Sequence, residues 1–275
     1  MKITNKYGLP GAFVEVAKND VYSPGESDIT VTTLIGPPQI RKLNKDHSTD
    51  IECDASEMLW SILGQSVHTM LERAEPSAIV EKRLYMKVLG WKLGGQFDRM
   101  TLRKTTLQDY KVSSVWEIIH GLKPERERQL NVLMELAVHN GFPISRLEIV
   151  FILRDWQASK AEYDSNYPQV PIVRVPVQVW NQEKRKEYIV ERIQLHQAAD
   201  AGVIYECTDE ERWLRGEKWA VMKKGRKSAV KLFDDETKAN DYLEDLDSNH
   251  SIQHRPGQYV RCERYCPVRT YCKQI

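Results

Sequence analysis

The sequence predicts an α/β protein with a central mixed β-sheet flanked by helices and a C-terminal tail held together by a metal. Two observations support this fold class. Between residues 56 and 202, segments whose apolar residues recur at helical spacing alternate with segments that have the pattern of β-strands. Near the C-terminal end, three of the five cysteines lie close together, from Cys262 to Cys272, which indicates a metal site.

The composition is typical of a globular protein rather than of a membrane protein. The chain has 275 residues, with 40 Lys and Arg against 39 Asp and Glu. No apolar run approaches the ~18 residues that cross a bilayer, and the N-terminus lacks the apolar segment of a secretory signal. We therefore expect a cytoplasmic protein without a membrane partner, whose cysteines are reduced or bound to metal. Because the net charge is only +1, a surface for nucleic acid would need local clusters of basic residues.

The first half of the chain is predicted to contain an arm, a helix and a meander. Residues 1–55 are expected to form an N-terminal arm, because residues 1–30 are rich in Pro, Gly, Ser and Asp. A helix is predicted over residues 56–74, where apolar residues recur at spacings of three and four. Residues 79–112 have the pattern of strands interrupted by turn residues such as Gly90, which favours an antiparallel meander.

Helices and strands alternate again in the second half of the predicted core, which spans residues 56–202. A helix is expected over residues 125–140, followed by a buried strand over 147–155. Residues 170–180 are predicted to form an edge strand, because their prolines cannot donate hydrogen bonds to a neighbour. A long charged helix over residues 182–200 completes the core.

The tail, residues 203–275, differs in composition and is predicted to be an appendage of the core. Its segments 218–223 and 228–233 are expected to form a hairpin with a basic tip, followed by a short acidic helix over 234–247. The local excess of positive charge fits contacts to DNA phosphates and fits an ordinary solvated surface about equally well. The predicted DNA-binding residues are Lys223, Lys224, Arg226 and Lys227.

Two predicted strands carry the residues that indicate chemistry. Asp109 and Lys111 are two positions apart, so both side chains leave the same face of one strand. If the strand with Asp98 lies alongside, two carboxylates and an ammonium group converge, which suits a divalent cation next to a water. Such a site can hydrolyse phosphodiesters, because the metal neutralises charge on the phosphate and the lysine positions or deprotonates the water. An isolated Asp-x-Lys triplet is more often a solvated surface, so the surrounding motifs matter.

The motifs around the triplet follow in a fixed order: Gly64-x-x-x-His68, Glu81, Gly95-x-x-Asp98, Asp109-x-Lys111 and Gln129. This ordered set resembles the PD-(D/E)XK nuclease superfamily, and within it the RecB-type exonuclease branch that includes CRISPR-associated and phage recombination exonucleases. The resemblance covers roughly residues 56–155, and the C-terminal cysteines extend it to the end. It implies a restriction-endonuclease-like core and metal-dependent cleavage of DNA.

The resemblance also implies a role for each residue of the site. The metal ligands that it implies for Mg²⁺ or Mn²⁺ are His68, Asp98, Asp109 and the main-chain carbonyl of Tyr110. Lys111 matches the lysine of the signature triplet, and Glu81 matches an acidic position that precedes the Gly-x-x-Asp strand. Gln129 matches the first residue of a Gln-x-x-x-Tyr motif that contacts DNA or orients the site, although the fourth position here is Leu133.

The C-terminal cysteines are predicted to bind a structural metal, either zinc or an iron-sulfur cluster. Their spacing is Cys262-x3-Cys266-x5-Cys272, and a fourth ligand is needed. Cys207 is preferred because it would close the loop that contains the basic hairpin. Cys53 is the competitor, because several RecB-type nucleases take the first cluster ligand from just before the histidine helix. The run from Cys266 to Cys272 resembles the cluster-binding end of those nucleases and implies [4Fe-4S], while the longer first spacing leaves zinc open.

The predicted function is that of a Mg²⁺- or Mn²⁺-dependent deoxyribonuclease that digests DNA from a free end. Recombination, repair or phage replication would use such an activity in a bacterial or phage-infected cell, and a recombination protein is the further partner that this function suggests. Two alternatives stay open. One is a structure-specific endonuclease on the same core, and the other is a DNA-binding protein whose nuclease site has lapsed.

Overall fold

The computed structural model describes residues 2–19, 23–74, 78–101, 103 and 105–274. Positions 20–22 of the predicted arm, and positions 102 and 104 of the predicted meander, lie outside the described residues. The elements before the central strands are β1 (Lys2–Thr4), α1 (Gly11–Lys18), β2 (Ile29–Thr30), α2 (Val31–Ile35), α3 (Pro38–Asp46), β3 (Glu52–Asp54) and α4 (Leu59–Glu72).

A mixed sheet of six strands forms the centre of the described structure. The central elements are β4 (Ile79–Val88), β5 (Trp91–Thr101), β6 (Thr106–Ser113), α5 (Trp116–Ile119), α6 (Pro124–His139), β7 (Arg146–Leu153), α7 (Ala158–Tyr163), β8 (Ile172–Val177) and α8 (Gln182–Asp200). The strands β4, β5 and β6 are antiparallel, β6 and β7 are parallel, and β8 is an antiparallel edge strand. The predicted mixed α/β core, the meander and the edge strand are therefore confirmed, whereas the metal in the tail stays a prediction.

The prediction of an extended N-terminal arm is wrong. The segment contains the helices α1, α2 and α3, and β2 joins the central sheet by pairing in parallel with β5. Leu34 on α2 is completely buried in the main core, and Arg41 on α3 forms an ion pair with Asp200 on α8 at 2.9 Å. The prolines and glycines of this segment favour an irregular arm when they are considered alone. The apolar residues after position 28 nevertheless bury enough surface to hold the segment against the sheet.

Close packing of α6 against β5 explains the glycine of the Gly-x-x-Asp motif. A Cβ atom on Gly95 would lie 2.7 Å from side-chain atoms of Leu133, Leu136 and Val31, so a larger residue would push α6 and α2 away. Because side chains alternate along a strand, Asp98 leaves the opposite face of β5 from Gly95. The motif therefore combines a tight core contact on one face with a carboxylate on the other.

The C-terminal tail forms a small sheet and then packs on the N-terminal segment. Its elements are β9 (Leu214–Arg215), β10 (Lys218–Lys223), β11 (Lys231–Phe233), α9 (Glu236–Glu244), β12 (His250–Arg255) and β13 (Gln258–Tyr259). The predicted hairpin is confirmed, since β10 and β11 are antiparallel, and β12 covers the other edge of β10. Cys266 and Val268 pack against Ile51, and the ring of Tyr271 stacks on His47 at 3.9 Å. None of the helices in the described ranges has the length and hydropathy needed to span a bilayer.

Candidate active site

A possible metal site combines one side chain from each of three elements. His68 on α4, Glu81 on β4 and Asp98 on β5 have ligand atoms that all lie within 4.8 Å of one another. The helix α4 packs on β5 and β6, which brings the imidazole over the strands. Gly64 lies one turn before His68, and a Cβ atom there would meet nothing within 4 Å. Space beside the imidazole is therefore open, as the Gly-x-x-x-His spacing predicts.

Glu81 has a backbone conformation that few non-glycine residues adopt. Its φ is +47°, in the left-handed region, which costs about 1–3 kcal/mol. The flanking pairs Val80–Arg99 and Lys82–Phe97 place it opposite Asp98 in the register of β4 and β5. The fold therefore holds two carboxylates side by side and accepts backbone strain to do so, a combination that is common at functional sites.

The imidazole of His68 lies between acceptors on both of its nitrogens. Its Nδ1 atom is 3.4 Å from a carboxylate oxygen of Glu81 and 3.4 Å from one of Asp98, and Nε2 is 3.2 Å from the carbonyl oxygen of Tyr110. Burial disfavours the imidazolium, but hydrogen bonds to Asp98 and Glu81 outweigh it and raise the pKa of His68 to about 10. The protonated ring therefore places a positive charge between the two carboxylates.

Further hydrogen bonds fix the two carboxylates. The backbone N–H of Tyr110 donates to Asp98 Oδ2 at 2.6 Å, so the main chain of β6 orients this side chain. The amide of Gln96 donates to Glu81 at 2.6 Å, and Arg83 donates to Gln96 at 2.9 Å. Gln96 and Arg83 were not predicted. Gln96 precedes Asp98 by two residues on one strand, so alternation alone places it on the same face.

Asp109 and Lys111 form an ion pair next to this group. The ammonium nitrogen of Lys111 lies 2.8 Å and 2.7 Å from the two carboxylate oxygens of Asp109. The side chain of Asp109 is 5% exposed and that of Lys111 is 18% exposed. Burial raises the pKa of Asp109 more than Lys111 lowers it, and the charge of Asp98 adds to the rise. Asp109 is outside the group of ligand atoms that includes Asp98, because its carboxylate is directed at Lys111.

A buried polar network behind Asp109 has no counterpart among the sequence predictions. Ser113 at the end of β6 donates to Glu117 on α5 at 2.6 Å, and Arg126 on α6 donates to the same carboxylate at 2.9 Å. Burial would raise the pKa of Glu117, but Arg126 and Ser113 outweigh it and lower the pKa. The charge of Arg126 also favours the ionised form of Asp109. These residues come from three elements, so no local pattern marks them.

The site opens into a cleft of about 750 Å³. His68, Glu81, Asp98, Tyr110 and Lys111 all line it. Trp60 lies on the wall formed by α4 and is 55% exposed, with the guanidinium of Arg154 located 4.1 Å from its ring centre. The cleft thus combines acidic groups, an ammonium group and an accessible aromatic ring, and it is open enough to admit a polymer.

Two sets of predicted residues do not line this cleft. Gln129 is half-buried on α6 and is not part of the cleft wall. The basic residues of the hairpin tip are exposed on and after β10, also away from the cleft wall. The basic residues of the hairpin tip are Lys223, Lys224, Arg226 and Lys227. Their predicted role in binding DNA stays a prediction, and so does the predicted role of Gln129.

Four cysteines of the tail lie near one another. Burial raises the pKa of Cys207 to about 12, and the charges of Cys272 and Cys262 contribute to the rise. Cys262 and Cys272 likewise raise the pKa of Cys266, which burial already raises. Cys53 has a pKa raised by burial and by its neighbours Glu57 and Asp54, without an interaction with the tail cysteines. Cys207 is therefore near enough to Cys262 and Cys272 for their charges to raise its pKa, and the choice of Cys207 over Cys53 as the fourth ligand stays a prediction.

No family model and no curated protein matches this sequence. The solved structures to which this chain is similar include the following three. The protein SSO0001 is 16% identical, with a TM-score of 0.49 over 73% of this chain and 88% of the other. A phage-related exonuclease from Haemophilus somnus 129PT is 18% identical, with a TM-score of 0.32 over 69% and 81% of the two chains. A candidate exonuclease from Eubacterium rectale is 12% identical, with a TM-score of 0.32 over 73% and 84%.

Proposed function

We propose that this protein is a metal-dependent DNA exonuclease that hydrolyses phosphodiester bonds. The observation that carries the proposal is the meeting of His68, Glu81 and Asp98 within 4.8 Å in the cleft that Lys111 also lines. Two carboxylates and an imidazole are ligands for a divalent metal, and an adjacent ammonium group can act on a water. This combination suits metal-assisted hydrolysis of a phosphodiester.

The donor set fits Mg²⁺ or Mn²⁺. Glu81 and Asp98 supply oxygen, which both ions prefer, and His68 supplies a nitrogen that Mn²⁺ accepts more readily. The carbonyl oxygen of Tyr110 lies beside His68 and is a further oxygen donor. When bound, the ion would neutralise charge that builds on the phosphate. The strained backbone of Glu81 and the hydrogen bond from Tyr110 N–H to Asp98 preorganise the carboxylates for it.

Three other side chains would have the remaining roles in hydrolysis. Lys111 would hold the attacking water by a hydrogen bond that its ammonium group donates, and the proton of the water would pass to bulk solvent. Asp109, which is almost completely buried, fixes the ammonium group of Lys111 through two short contacts. The proposal that Asp109 also binds the metal stays open to test, because its carboxylate faces Lys111. Arg83 lines the cleft and donates a hydrogen bond to Gln96. Its guanidinium group adds positive charge that would attract a phosphate.

Digestion of end-labelled linear DNA tests the proposed activity. We expect release of nucleotides with Mg²⁺ or Mn²⁺, and none when EDTA replaces the metal, since the carboxylate pair cannot stabilise an anionic phosphate alone. A supercoiled circle of the same sequence is the control, because an exonuclease needs an end and leaves the circle intact. Cutting of the circle would instead assign an endonuclease on the same core, and binding of DNA without hydrolysis under every metal would assign a lapsed site.

For the tail, we propose a structural [4Fe-4S] cluster on Cys207, Cys262, Cys266 and Cys272. Zinc bonds of about 2.3 Å would bring tetrahedral sulfurs to about 3.8 Å from one another. In the part of the chain that is described, no three cysteine sulfurs lie within 4.8 Å of one another, although all four interact electrostatically. The cluster is preferred over zinc because the run from Cys266 to Cys272 resembles the cluster-binding end of RecB-type nucleases, in which each sulfur binds a different iron.

Two serine substitutions test the ligand set. We expect Cys207→Ser, purified without oxygen, to lose the iron and the broad visible absorbance of the wild type, because one of four ligands is missing. Cys53→Ser is the matched control and should keep both. Iron and sulfide analysis with an absorbance spectrum is the measurement. Stoichiometric zinc in a colourless wild-type protein would overturn the cluster, and loss of iron in Cys53→Ser but not in Cys207→Ser would reverse the choice of ligand.

A further inference from the structure

A groove rich in arginine lies on the sheet beside the active cleft. Its volume is about 860 Å³, and its walls come from β5 to β8 and the segments next to them. Among the described residues of its lining, one acidic side chain, Glu148, faces a larger number of basic ones. The basic residues are Arg99, Arg103, Arg146 and Arg174. The groove therefore has a net positive charge, although the protein as a whole is almost neutral.

The groove and one wall of the cleft share one face of β6, while Lys111, which also lines the cleft, is at an odd-numbered position of the strand. Thr106 and Gln108 line the groove, while Tyr110 and Val112 line the cleft. These four residues are each two positions from the next along β6, so their side chains leave the same face of the strand. At ~3.3 Å per residue, Gln108 and Tyr110 are roughly 7 Å apart, which is about two nucleotide steps along one strand of B-DNA. A strand held in the cleft would therefore enter the groove within a few nucleotides.

A chain of hydrogen bonds fixes the floor of the groove. Arg99 on β5 donates to Gln108 on β6, and Gln108 donates to Glu148 on β7. Arg174 on β8 donates to the other oxygen of Glu148 at 3.0 Å. The carboxylate of Glu148 is thus already paired, so it repels an anion less than an unpaired carboxylate would. Arg146, which begins β7, is exposed at the same groove.

We infer that this groove binds the phosphate backbone of the DNA strand whose scissile bond lies in the cleft. The inference rests on the proposed function for the identity of its ligand. Guanidinium groups bind phosphates through paired hydrogen bonds, and phosphates at regular spacing match a row of arginines better than a single anion does. Continuity with a site built for phosphodiester chemistry favours a nucleic acid over an acidic peptide. The groove would hold the substrate in register while the cleft acts on it.

The double variant Arg146→Gln with Arg174→Gln tests this inference. Both side chains are exposed, so the fold should not change. We expect binding of a fluorescent DNA duplex with a single-stranded end, measured by anisotropy in EDTA, to weaken by on the order of tenfold. The slope of log K against log salt should become shallower by about 1.5 to 2, since two phosphate contacts are lost. Lys87→Gln with Lys186→Gln removes the same charge from exposed positions outside both cavities and is the matched control.

The measurement in EDTA separates this inference from the proposed function. If the arginine variant loses affinity and the lysine variant does not, the groove binds DNA whether or not the wild type hydrolyses it. If the affinity for DNA fell equally in both variants, the inferred role of the groove would be wrong, because the effect would then come from the change in net charge. Unchanged binding in the arginine variant, or no DNA binding by the wild type, would overturn it too. In an active enzyme we expect KM to rise and kcat to stay within about twofold.

Discussion

Asp98→Asn is expected to abolish DNA hydrolysis, with a loss of rate of about 10³-fold or more. One oxygen of Asp98 lies 3.4 Å from His68, and the other accepts the backbone N–H of Tyr110. Asparagine has the same size and can still accept that hydrogen bond, but it removes one of the two negative charges that would hold the metal. Loss of one electrostatic element of an active site commonly costs 10² to 10³ in rate, and loss of a metal ligand adds to this. Initial rates on end-labelled DNA in Mn²⁺ measure the effect.

A matched substitution identifies the cause of that loss. Glu183→Gln also exchanges a carboxylate for an amide, but Glu183 is exposed on α8 and does not line the cleft, so its activity should equal that of the wild type. Titration calorimetry should show weaker binding of Mn²⁺ to Asp98→Asn and unchanged binding of DNA in EDTA. If Asp98→Asn kept its hydrolytic rate with an unchanged affinity for Mn²⁺, the assignment of the metal site would be wrong.

The elements around the site were predictable because local patterns specify them. The helix with His68 has an apolar spacing of three and four, and Gly90 marks the turn between the strands with Glu81 and Asp98. Periodicity and turn signals act over a few residues, so a sequence displays them directly. The predicted antiparallel pairing of these strands is confirmed.

Features that depend on contacts between distant segments were not predictable in this way. The left-handed backbone of Glu81 results from its position opposite Asp98 across two strands, and no residue type near it demands that conformation. The network of Ser113, Glu117 and Arg126 forms only after three elements pack together. Spacing alone suggested that Asp109 would join the ligand group, but burial beside Lys111 directs its carboxylate to the ammonium group instead.

The N-terminal segment illustrates a different limit. Its turn-forming residues favour an irregular arm when they are considered locally. In the folded protein, Ile29 pairs with the central strand β5, and Leu34 is completely buried. A two-residue strand such as β2 has too few residues to create a pattern, and its stability comes from the sheet that it joins. Tertiary contacts therefore overrode the local preference.

Lys111→Met should lower the rate of hydrolysis by about 10² to 10³-fold, the range associated with loss of one electrostatic group of an active site. Methionine keeps the length and the apolar stem, so the wall of the cleft is preserved. Asp109→Asn should reduce the rate as well, because the ammonium group would lose the carboxylate that fixes it at 2.7 Å. The measurements are single-turnover rates and the affinity for Mn²⁺, with Lys87→Met, exposed on β4, as the control for the lysine change.

The affinity for Mn²⁺ distinguishes the two roles of Asp109. If Asp109 acts only by positioning Lys111, Asp109→Asn binds Mn²⁺ as tightly as the wild type, and the double variant with Lys111→Met is no slower than Lys111→Met alone, since the two residues work as a unit. If Asp109 is a ligand, its variant binds Mn²⁺ more weakly and the effects of the two substitutions multiply. Full activity in Lys111→Met would contradict both versions, because the water would then need no ammonium group.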